Sequence, residues 1–203
     1  MNTFSQPVLL AVSQMKEFEK FIQSPLEACI LMNLHIRLLP DVVRAAHGAG
    51  KTVFVHADLI HGLAADEYGC EYICQQLGAD GVISTKPKVL ETARRSRRAA
   101  ILRLFLIDSQ SLSKGIALIR HLRPDYVELL PALACEVIPE LLAGLAQPLS
   151  GQDGSSAPDI SLLCGGLIRT PSQIDRCLRC GARAVTLSDQ ELAIRSLTPS
   201  QRR

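Results

Sequence analysis

Residues 161–171 read Ser-Leu-Leu-Cys-Gly-Gly-Leu-Ile-Arg-Thr-Pro, and this stretch is the most informative part of the chain. A short apolar run, typical of a strand, ends in Gly165-Gly166, and Thr170-Pro171 then give the start signal of a helix. Glycines at that point let backbone N–H groups approach a ligand, because no Cβ stands in the way. A second strand ends at Ser188. This order is typical of the phosphate site formed after strands 7 and 8 of a (β/α)8 barrel.

Short apolar runs alternate with longer amphipathic segments from end to end. They predict strands at 7–13, 28–33, 51–57, 81–84, 99–107, 126–130, 160–164 and 184–188. Strict alternation predicts a parallel sheet, because parallel strands need crossover helices. An open doubly wound sheet would also alternate, but eight units with a glycine loop between the last two favour an α/β, TIM-type barrel of about eight parallel strands. We expect one barrel domain over residues 1–194 and a frayed tail over 195–203.

The composition is that of an ordinary globular protein, with 47% hydrophobic and 21% charged residues. No apolar run approaches the roughly 20 residues of a membrane span, and the N-terminus lacks a signal pattern. These observations predict a cytoplasmic protein without a membrane partner. The segment Gln147–Pro158 is rich in Gly, Ser and Pro, so we expect a flexible loop there, at the barrel end away from any chemistry.

The seven cysteines are an odd number spread through apolar segments, which favours reduced core thiols over a disulfide framework. The pairs Cys70/Cys74 and Cys177/Cys180 together contain four thiols, enough for a zinc ion. Both pairs lie inside predicted helices, however, whereas zinc knuckles normally lie in tight turns. We therefore predict no metal and no cofactor.

The carboxyl ends of the strands predict a ligand site, since barrel sites are built there. These ends carry polar residues of mixed charge, which suit a small hydroxylated anion. The glycine loop and the chain near Ser188 would hold a phosphate by backbone N–H groups, and Asp58 and Glu128 would accept hydrogen bonds from hydroxyls. The predicted ligand-binding residues are Asn33, His56, Asp58, Ser84, Arg103, Glu128, Gly165, Gly166 and Ser188.

Several of these residues have structural alternatives. Asp58, like Asp108 at another strand end, suits the capping of turns, and His56 suits a core histidine. Arg103 suits an internal ion pair with Glu128 as well as a ligand contact. No lysine other than Lys86 stands at a strand end, so no catalytic residue is predicted. The carboxylates of Asp58 and Glu128 nevertheless keep a barrel enzyme acting on a small phosphorylated metabolite open as an alternative.

The charge is uneven along the chain. The net charge is +2, but Lys86–Arg103 contains seven basic residues and one acidic residue. Lysine and arginine side chains on one element can neutralise RNA phosphates, and a solvated outer helix is the alternative. The predicted RNA-binding residues are Lys86, Lys88, Arg94, Arg95, Arg97 and Arg98.

Six blocks of the sequence together resemble those of the glycerol-3-phosphate-responsive antiterminators, the regulatory proteins of glycerol-uptake operons. They keep their order and cover the chain from about Val8 to Glu191: His56-Ala-Asp-Leu-Ile-His-Gly-Leu63, Asp66-Glu-Tyr68, Gly81-Val-Ile-Ser-Thr85, Arg103-Leu-Phe-Leu-Ile-Asp-Ser109, Pro124-Asp-Tyr-Val-Glu-Leu-Leu-Pro131 and Gly165-Gly-Leu-Ile-Arg-Thr170. The resemblance implies a barrel, glycerol 3-phosphate as the effector ligand, and binding to the leader mRNA of glycerol-utilisation genes, which prevents premature termination of transcription. A phosphate-ligand sensor with a protein partner, and a homo-oligomer, are left open.

Overall fold

Eight parallel strands close into a barrel in the computed structural model, which describes residues 4–147 and 158–197. Each strand pairs with the next along the chain, and β8 pairs with β1 to close the sheet. The prediction of a TIM-type barrel is therefore confirmed. The strands are β1 (Val8–Val12), β2 (Ala28–Leu31), β3 (Thr52–His56), β4 (Gly81–Ser84), β5 (Ala99–Phe105), β6 (Tyr126–Leu130), β7 (Ser161–Gly165) and β8 (Ala184–Leu187).

Helices follow the strands and cover the outside of the barrel. They are α1 (Met15–Ile22), α2 (Leu39–Gly48), α3 (Glu67–Glu71), α4 (Pro87–Arg95), α5 (Ser109–Leu122), α6 (Ile138–Ala146), α7 (Pro171–Arg179) and α8 (Gln190–Arg195). The predicted start signals act as expected, because the Gln173 N–H donates to Thr170 Oγ1 at the start of α7. Asp108 also caps a helix, since its carboxylate accepts from the Ser111 N–H at the start of α5.

The core has two layers, because a parallel sheet buries both of its faces. One apolar cluster fills the barrel with side chains such as Ile30, Ile101 and Leu163, and Phe4 packs on Tyr126 beneath them with ring centroids 5.6 Å apart. The other cluster lies between the barrel wall and the helices. Six of the seven cysteines are buried, as expected of core thiols.

Several boundaries differ from those that the sequence predicts. Helix α8 was not predicted, and it begins where the Leu192 N–H donates to Asp189 Oδ1. Leu197, which was expected in the frayed tail, is buried with 2% exposure. Helix α4 ends at Arg95, and Arg97 in the connection that follows has a φ of 56°. Residues 148–157 of the expected flexible loop and 198–203 of the expected tail lie outside the described residues.

Candidate functional site

A polar layer lies on top of the apolar barrel interior. Side chains alternate along a strand, so the residue two positions after an interior residue also points inward. Applying this rule to Phe54, Ile101, Tyr126 and Ala184 of the interior cluster gives His56, Arg103, Glu128 and Thr186. We call these four residues the polar layer.

An ion pair forms the centre of the polar layer. Arg103 and Glu128 face each other in register across β5 and β6, and Arg103 Nε donates to Glu128 Oε2 at 2.6 Å. Thr186 Oγ1 donates to the other carboxylate oxygen at 2.5 Å. Glu128 is fully buried and the Arg103 side chain is 14% exposed. Such a buried pair holds together because each charge is paired and hydrogen-bonded.

Gly165 makes the contact between Glu128 and Thr186 possible. Strand β7 separates β6 from β8, so these two side chains meet across β7. A Cβ on Gly165 would lie 2.2 Å from Thr186 Oγ1 and 2.7 Å from Glu128 Oε1, too close for real atoms. Gly165 was predicted to bind a ligand, but its described contacts are with the polar layer.

A pocket of about 270 Å³ opens above the polar layer, at the carboxyl ends of the strands. Among its described lining residues, only Arg103 and Glu128 are charged, and none is a lysine. The other lining residues are Ala11, Ile30, Met32, Leu130, Gly166, Leu167, Ile168, Thr186, Leu187 and Ser188. We call this the mouth pocket. It is slightly smaller than the 300–1,000 Å³ typical of sites for drug-sized ligands, so it suits a small metabolite.

The predicted glycine loop forms one wall of the mouth pocket. Gly166 has a φ of 78° and Leu167 a φ of 63°, so two successive residues take the left-handed conformation. Such a conformation costs about 1–2 kcal/mol for a non-glycine residue, and sites of this kind often lie beside ligands. The Gly166 carbonyl accepts from the Ala132 N–H, which ties the loop to the segment after β6.

His56 lies in the polar layer with 1% exposure. Neither ring nitrogen has a hydrogen-bond partner among the described residues. Burial, together with the positive charge of Arg103, lowers the pKa of His56 to about 4, against the opposing charges of Asp58 and Glu128. The ring is therefore neutral at pH 7, which agrees with a core histidine.

Asp58 belongs to a different cluster. Its carboxylate accepts from the Ser84 hydroxyl at 2.5 Å and from both the N–H and the hydroxyl of Thr85 at 2.8 Å. Burial opposes ionisation, but these hydrogen bonds outweigh it and lower the pKa of Asp58. We call Asp58, Ser84 and Thr85 the β3–β4 cluster. Asp58 and Glu128 thus have separate hydrogen-bond partners, and only Glu128 lines the mouth pocket.

The structure divides the predicted ligand-binding residues into three groups. Arg103, Glu128, Gly166 and Ser188 line the mouth pocket, and His56 and Gly165 adjoin the lining through the polar layer. The remaining predicted residues, Asn33, Asp58 and Ser84, are not in its lining. Asn33 is exposed with a φ of 55°, a turn conformation that asparagine tolerates.

Sequence reasoning missed Thr186 and the apolar wall of the mouth pocket, chiefly Ile30, Met32 and Leu187. Thr186 carries a weak signal, since it is the polar residue of an otherwise apolar strand. The binding roles of all nine predicted residues stay predictions.

The predicted RNA-binding residues lie at both ends of α4. Lys86 and Lys88 stand at its start, on the same barrel edge as the mouth pocket, whereas Arg94 and Arg95 lie in its last turn. Arg97 and Arg98 follow in the connection to β5. A nine-residue helix spans about 13 Å, so these charges do not form one patch.

Residues 4–147 and 158–197 contain neither a metal-ligand cluster nor a membrane-spanning helix. No three His, Cys, Asp or Glu side chains in these ranges are grouped to hold a metal ion. None of the helices described there has the length and apolar character needed to cross a bilayer. The absence of a metal, and the cytoplasmic location, stay predictions.

Comparison with known proteins points to one family. A family model described as glycerol-3-phosphate responsive antiterminator matches residues 8–193. The crystal structure of a glycerol uptake operon antiterminator regulatory protein from Listeria monocytogenes is similar, with 33% identity, coverage of 95% of this chain and 97% of that one, and a TM-score of 0.83. A glycerol uptake operon antiterminator-related protein from Thermotoga maritima has 26% identity, coverage of 94% and 99%, and a TM-score of 0.73.

Enzymes share the fold as well. A deoxyribose phosphate aldolase from Aeropyrum pernix has 13% identity, coverage of 95% of this chain and 89% of that one, and a TM-score of 0.67. At that identity the likeness concerns the barrel alone, because one fold carries many functions.

Proposed function

The chain belongs to the glycerol-3-phosphate responsive antiterminator family, and from that membership we propose that it is a glycerol-3-phosphate-responsive transcription antiterminator that binds the leader mRNA of glycerol-utilisation genes. The observation that carries the proposal is the mouth pocket, a small, partly polar site at the carboxyl ends of the strands. The mouth pocket would hold the effector, and the family is described by its response to glycerol 3-phosphate.

The lining of the mouth pocket suits both the phosphate group and the glycerol carbons of glycerol 3-phosphate. The backbone of the glycine loop and the hydroxyl of Ser188 are suited to a phosphate group. A guanidinium group has five N–H donors, and Arg103 uses Nε–H for Glu128, so donors remain for the ligand. Ile30 and Met32 offer an apolar surface to the glycerol carbons.

The same residues favour a sensor over an enzyme. Asp58 accepts three hydrogen bonds from Ser84 and Thr85, and Glu128 accepts from Arg103 and Thr186. A general acid or base needs a pKa near the working pH, whereas the pKa of Asp58 is lowered. Glycerol 3-phosphate is therefore proposed to be held and not converted. Turnover of triose phosphates by the purified protein would overturn this part of the proposal.

Thermal unfolding with glycerol 3-phosphate tests the effector. At a hundredfold excess over Kd, a ligand raises the free energy of unfolding by about 3 kcal/mol, which corresponds to a Tm increase of about 5–10 °C for a chain of this length. Glycerol and inorganic phosphate, each containing half of the ligand, should give much smaller increases.

Ser188→Ala sharpens the effector test. Loss of a hydrogen bond to a charged group costs about 1.5–3 kcal/mol, so we expect the Kd for glycerol 3-phosphate to rise about 10- to 100-fold. Ser113→Ala is the matched control, because Ser113 is exposed on α5 and its hydroxyl donates only to the Ser109 carbonyl among its described contacts. An unchanged Kd in Ser188→Ala would remove Ser188 from the site.

Filter binding of a terminator-containing leader RNA tests the partner. We expect glycerol 3-phosphate to increase the retained RNA. Effector binding without any effect on RNA retention would instead favour a sensor with a protein partner.

A further inference from the structure

Three arginines converge on a pocket at the barrel edge opposite the mouth pocket. Arg94, Arg97 and Arg98 line it together with Ala99 and Asp125, and its volume is about 160 Å³. We call it the arginine pocket. It lies where α4 ends and β5 begins, whereas the mouth pocket lies where the strands end.

The charge of the arginine pocket is not balanced by its own residues. Asp125 is its only acidic lining residue among those described, and Asp125 Oδ2 accepts from the Ala100 N–H at 2.8 Å. Arg97 and Arg98 form no ion pair within residues 4–147 and 158–197. Three arginines and one aspartate leave a charge of about +2 at pH 7, which suits an anion.

The guanidinium group of Arg94 and the backbone of Arg97 are held by neighbouring carbonyl groups. Arg94 Nη1 donates to the Leu122 carbonyl at the end of α5, which anchors its guanidinium group between two helices. Arg97 takes the left-handed conformation that ends α4, and its N–H donates to the Arg94 carbonyl. A preorganised guanidinium group such as that of Arg94 binds phosphate oxygens with little loss of side-chain entropy.

The remaining basic residues of the segment lack this arrangement. Lys86 Nζ donates to the Ala65 carbonyl at the other end of α4, and Arg95 Nη2 donates to Thr92 Oγ1. None of the described residues of the arginine pocket is aromatic, so the pocket offers no surface on which a base could stack. It can contact a nucleic acid through its phosphates.

We propose that the arginine pocket binds backbone phosphates of the leader RNA, so that RNA and effector occupy opposite edges of the barrel. This inference rests on the proposed function and narrows the predicted RNA-binding set to Arg94, Arg97 and Arg98. The contact is independent of base sequence, because phosphate contacts position an RNA without reading it.

Two double variants that each remove two positive charges test the proposal. Leader RNA binding is measured by fluorescence anisotropy between about 50 and 200 mM salt, for the wild type, Arg97→Gln/Arg98→Gln and Lys86→Gln/Lys88→Gln. Loss of two phosphate contacts should reduce the slope of log K against log salt concentration by about 2 in the arginine variant. The lysine variant should change the slope by less than about 0.5, because only the long-range charge differs.

Thermal shifts with glycerol 3-phosphate show whether both variants are folded, since the mouth pocket lies at the other edge. If the slope of log K against log salt concentration decreased equally in the two variants, or more in the lysine variant, the proposal would be overturned. Displacement of RNA by inorganic phosphate, beyond the effect of chloride at equal ionic strength, would instead identify a site for free phosphate.

The outcomes separate this inference from the proposed function. Leader binding that the arginine variant weakens but glycerol 3-phosphate does not affect would support the arginine pocket and contradict the proposed function. Leader binding that responds to glycerol 3-phosphate but is equal in the wild type and the arginine variant would support the proposed function and contradict the arginine pocket. No leader binding by the wild type in any condition would overturn both.

Discussion

Glu128 and Asp58 are two carboxylates near the same edge of the barrel, but they are held in different ways. Glu128 is fully buried, and its charge is compensated by Arg103 in the barrel interior. Asp58 is partly exposed, and hydrogen bonds from neutral donors on the next strand and its loop hold it. A charge inside the barrel needs an opposite charge, whereas one at the rim can be satisfied by hydroxyl and N–H groups.

The difference explains why only one of them lines the mouth pocket. Glu128 is part of a layer whose shape depends on a missing side chain at Gly165. Asp58 instead ties the short helical turn after β3 to the end of β4. We therefore expect changes around Glu128 to affect both stability and effector binding, and changes at Asp58 to affect stability alone.

The largest effect is expected from Gly165→Ala. The added methyl group would displace Thr186 from Glu128, and overpacking together with a buried carboxylate that loses a donor should lower the free energy of unfolding by about 4 kcal/mol. Chemical denaturation measures this change. Gly48→Ala is the control, because no described atom beyond the neighbouring backbone of its own helix lies within 4 Å of the added Cβ, and it should stabilise by up to about 1 kcal/mol. Equal stability of the two variants would contradict the packing of the polar layer.

A slightly smaller effect is expected from acid titration of His56, which lies close enough to both carboxylates for their charges to act on it. Its pKa is about 6.5 in the unfolded chain and about 4 in the folded one. A lowered pKa stabilises the folded state above pH 6.5, and this contribution, about 3 kcal/mol, is lost as the pH falls from 6.5 to 4.

Denaturation at a series of pH values checks the titration. His56→Gln should flatten the dependence of the free energy of unfolding on pH between 6.5 and 4. His121→Gln is the control, since the His121 side chain is 74% exposed. A slope that His56→Gln does not change would show that the ring takes up its proton in the folded state without cost.

The smallest effect is expected from Asp58→Asn. An amide nitrogen cannot accept the hydrogen bonds that the carboxylate oxygen accepts, so we expect a loss of about 1–2 kcal/mol. Because the pKa of Asp58 is lowered, the contribution of its charge is present above pH 3.8 and is lost as the pH falls below that value. Asp41→Asn is the control, because Asp41 pairs only with the exposed Arg44 among the described ion pairs. A large loss of glycerol 3-phosphate affinity in Asp58→Asn would place Asp58 in the effector site.

The sequence was sufficient to predict the barrel because each strand is an apolar run and several helices carry their own start signals. Strands β4 and β6 have the predicted bounds. Helix α8 was missed because six residues with one cap carry little periodicity. The ion pair between Arg103 and Glu128 was weighed as an alternative to ligand contact, and the structure has the ion pair while Arg103 also lines the mouth pocket.

The parts of the site that the sequence did not predict depend on how the strands are aligned with one another in the barrel. Thr186 meets Glu128 across an intervening strand, and no spacing along the chain encodes that contact. The sequence predicts one RNA-binding set over residues 86–98, but α4 carries these residues from one barrel edge to the other. Charged residues that are close in the sequence can therefore lie far apart in space when a helix runs between them.

Strand β5 connects the arginine pocket to the mouth pocket, and this connection has a thermodynamic consequence. Its first residue, Ala99, lines the arginine pocket, and Arg103, four residues further on, lines the mouth pocket. At about 3.3 Å per residue, the two ligands would bind about 13 Å apart on one rigid strand. Any coupling between the pockets must be reciprocal. If glycerol 3-phosphate raises the affinity for leader RNA tenfold, bound RNA would raise the affinity for glycerol 3-phosphate tenfold, so a transcript bound as proposed would help to retain the effector.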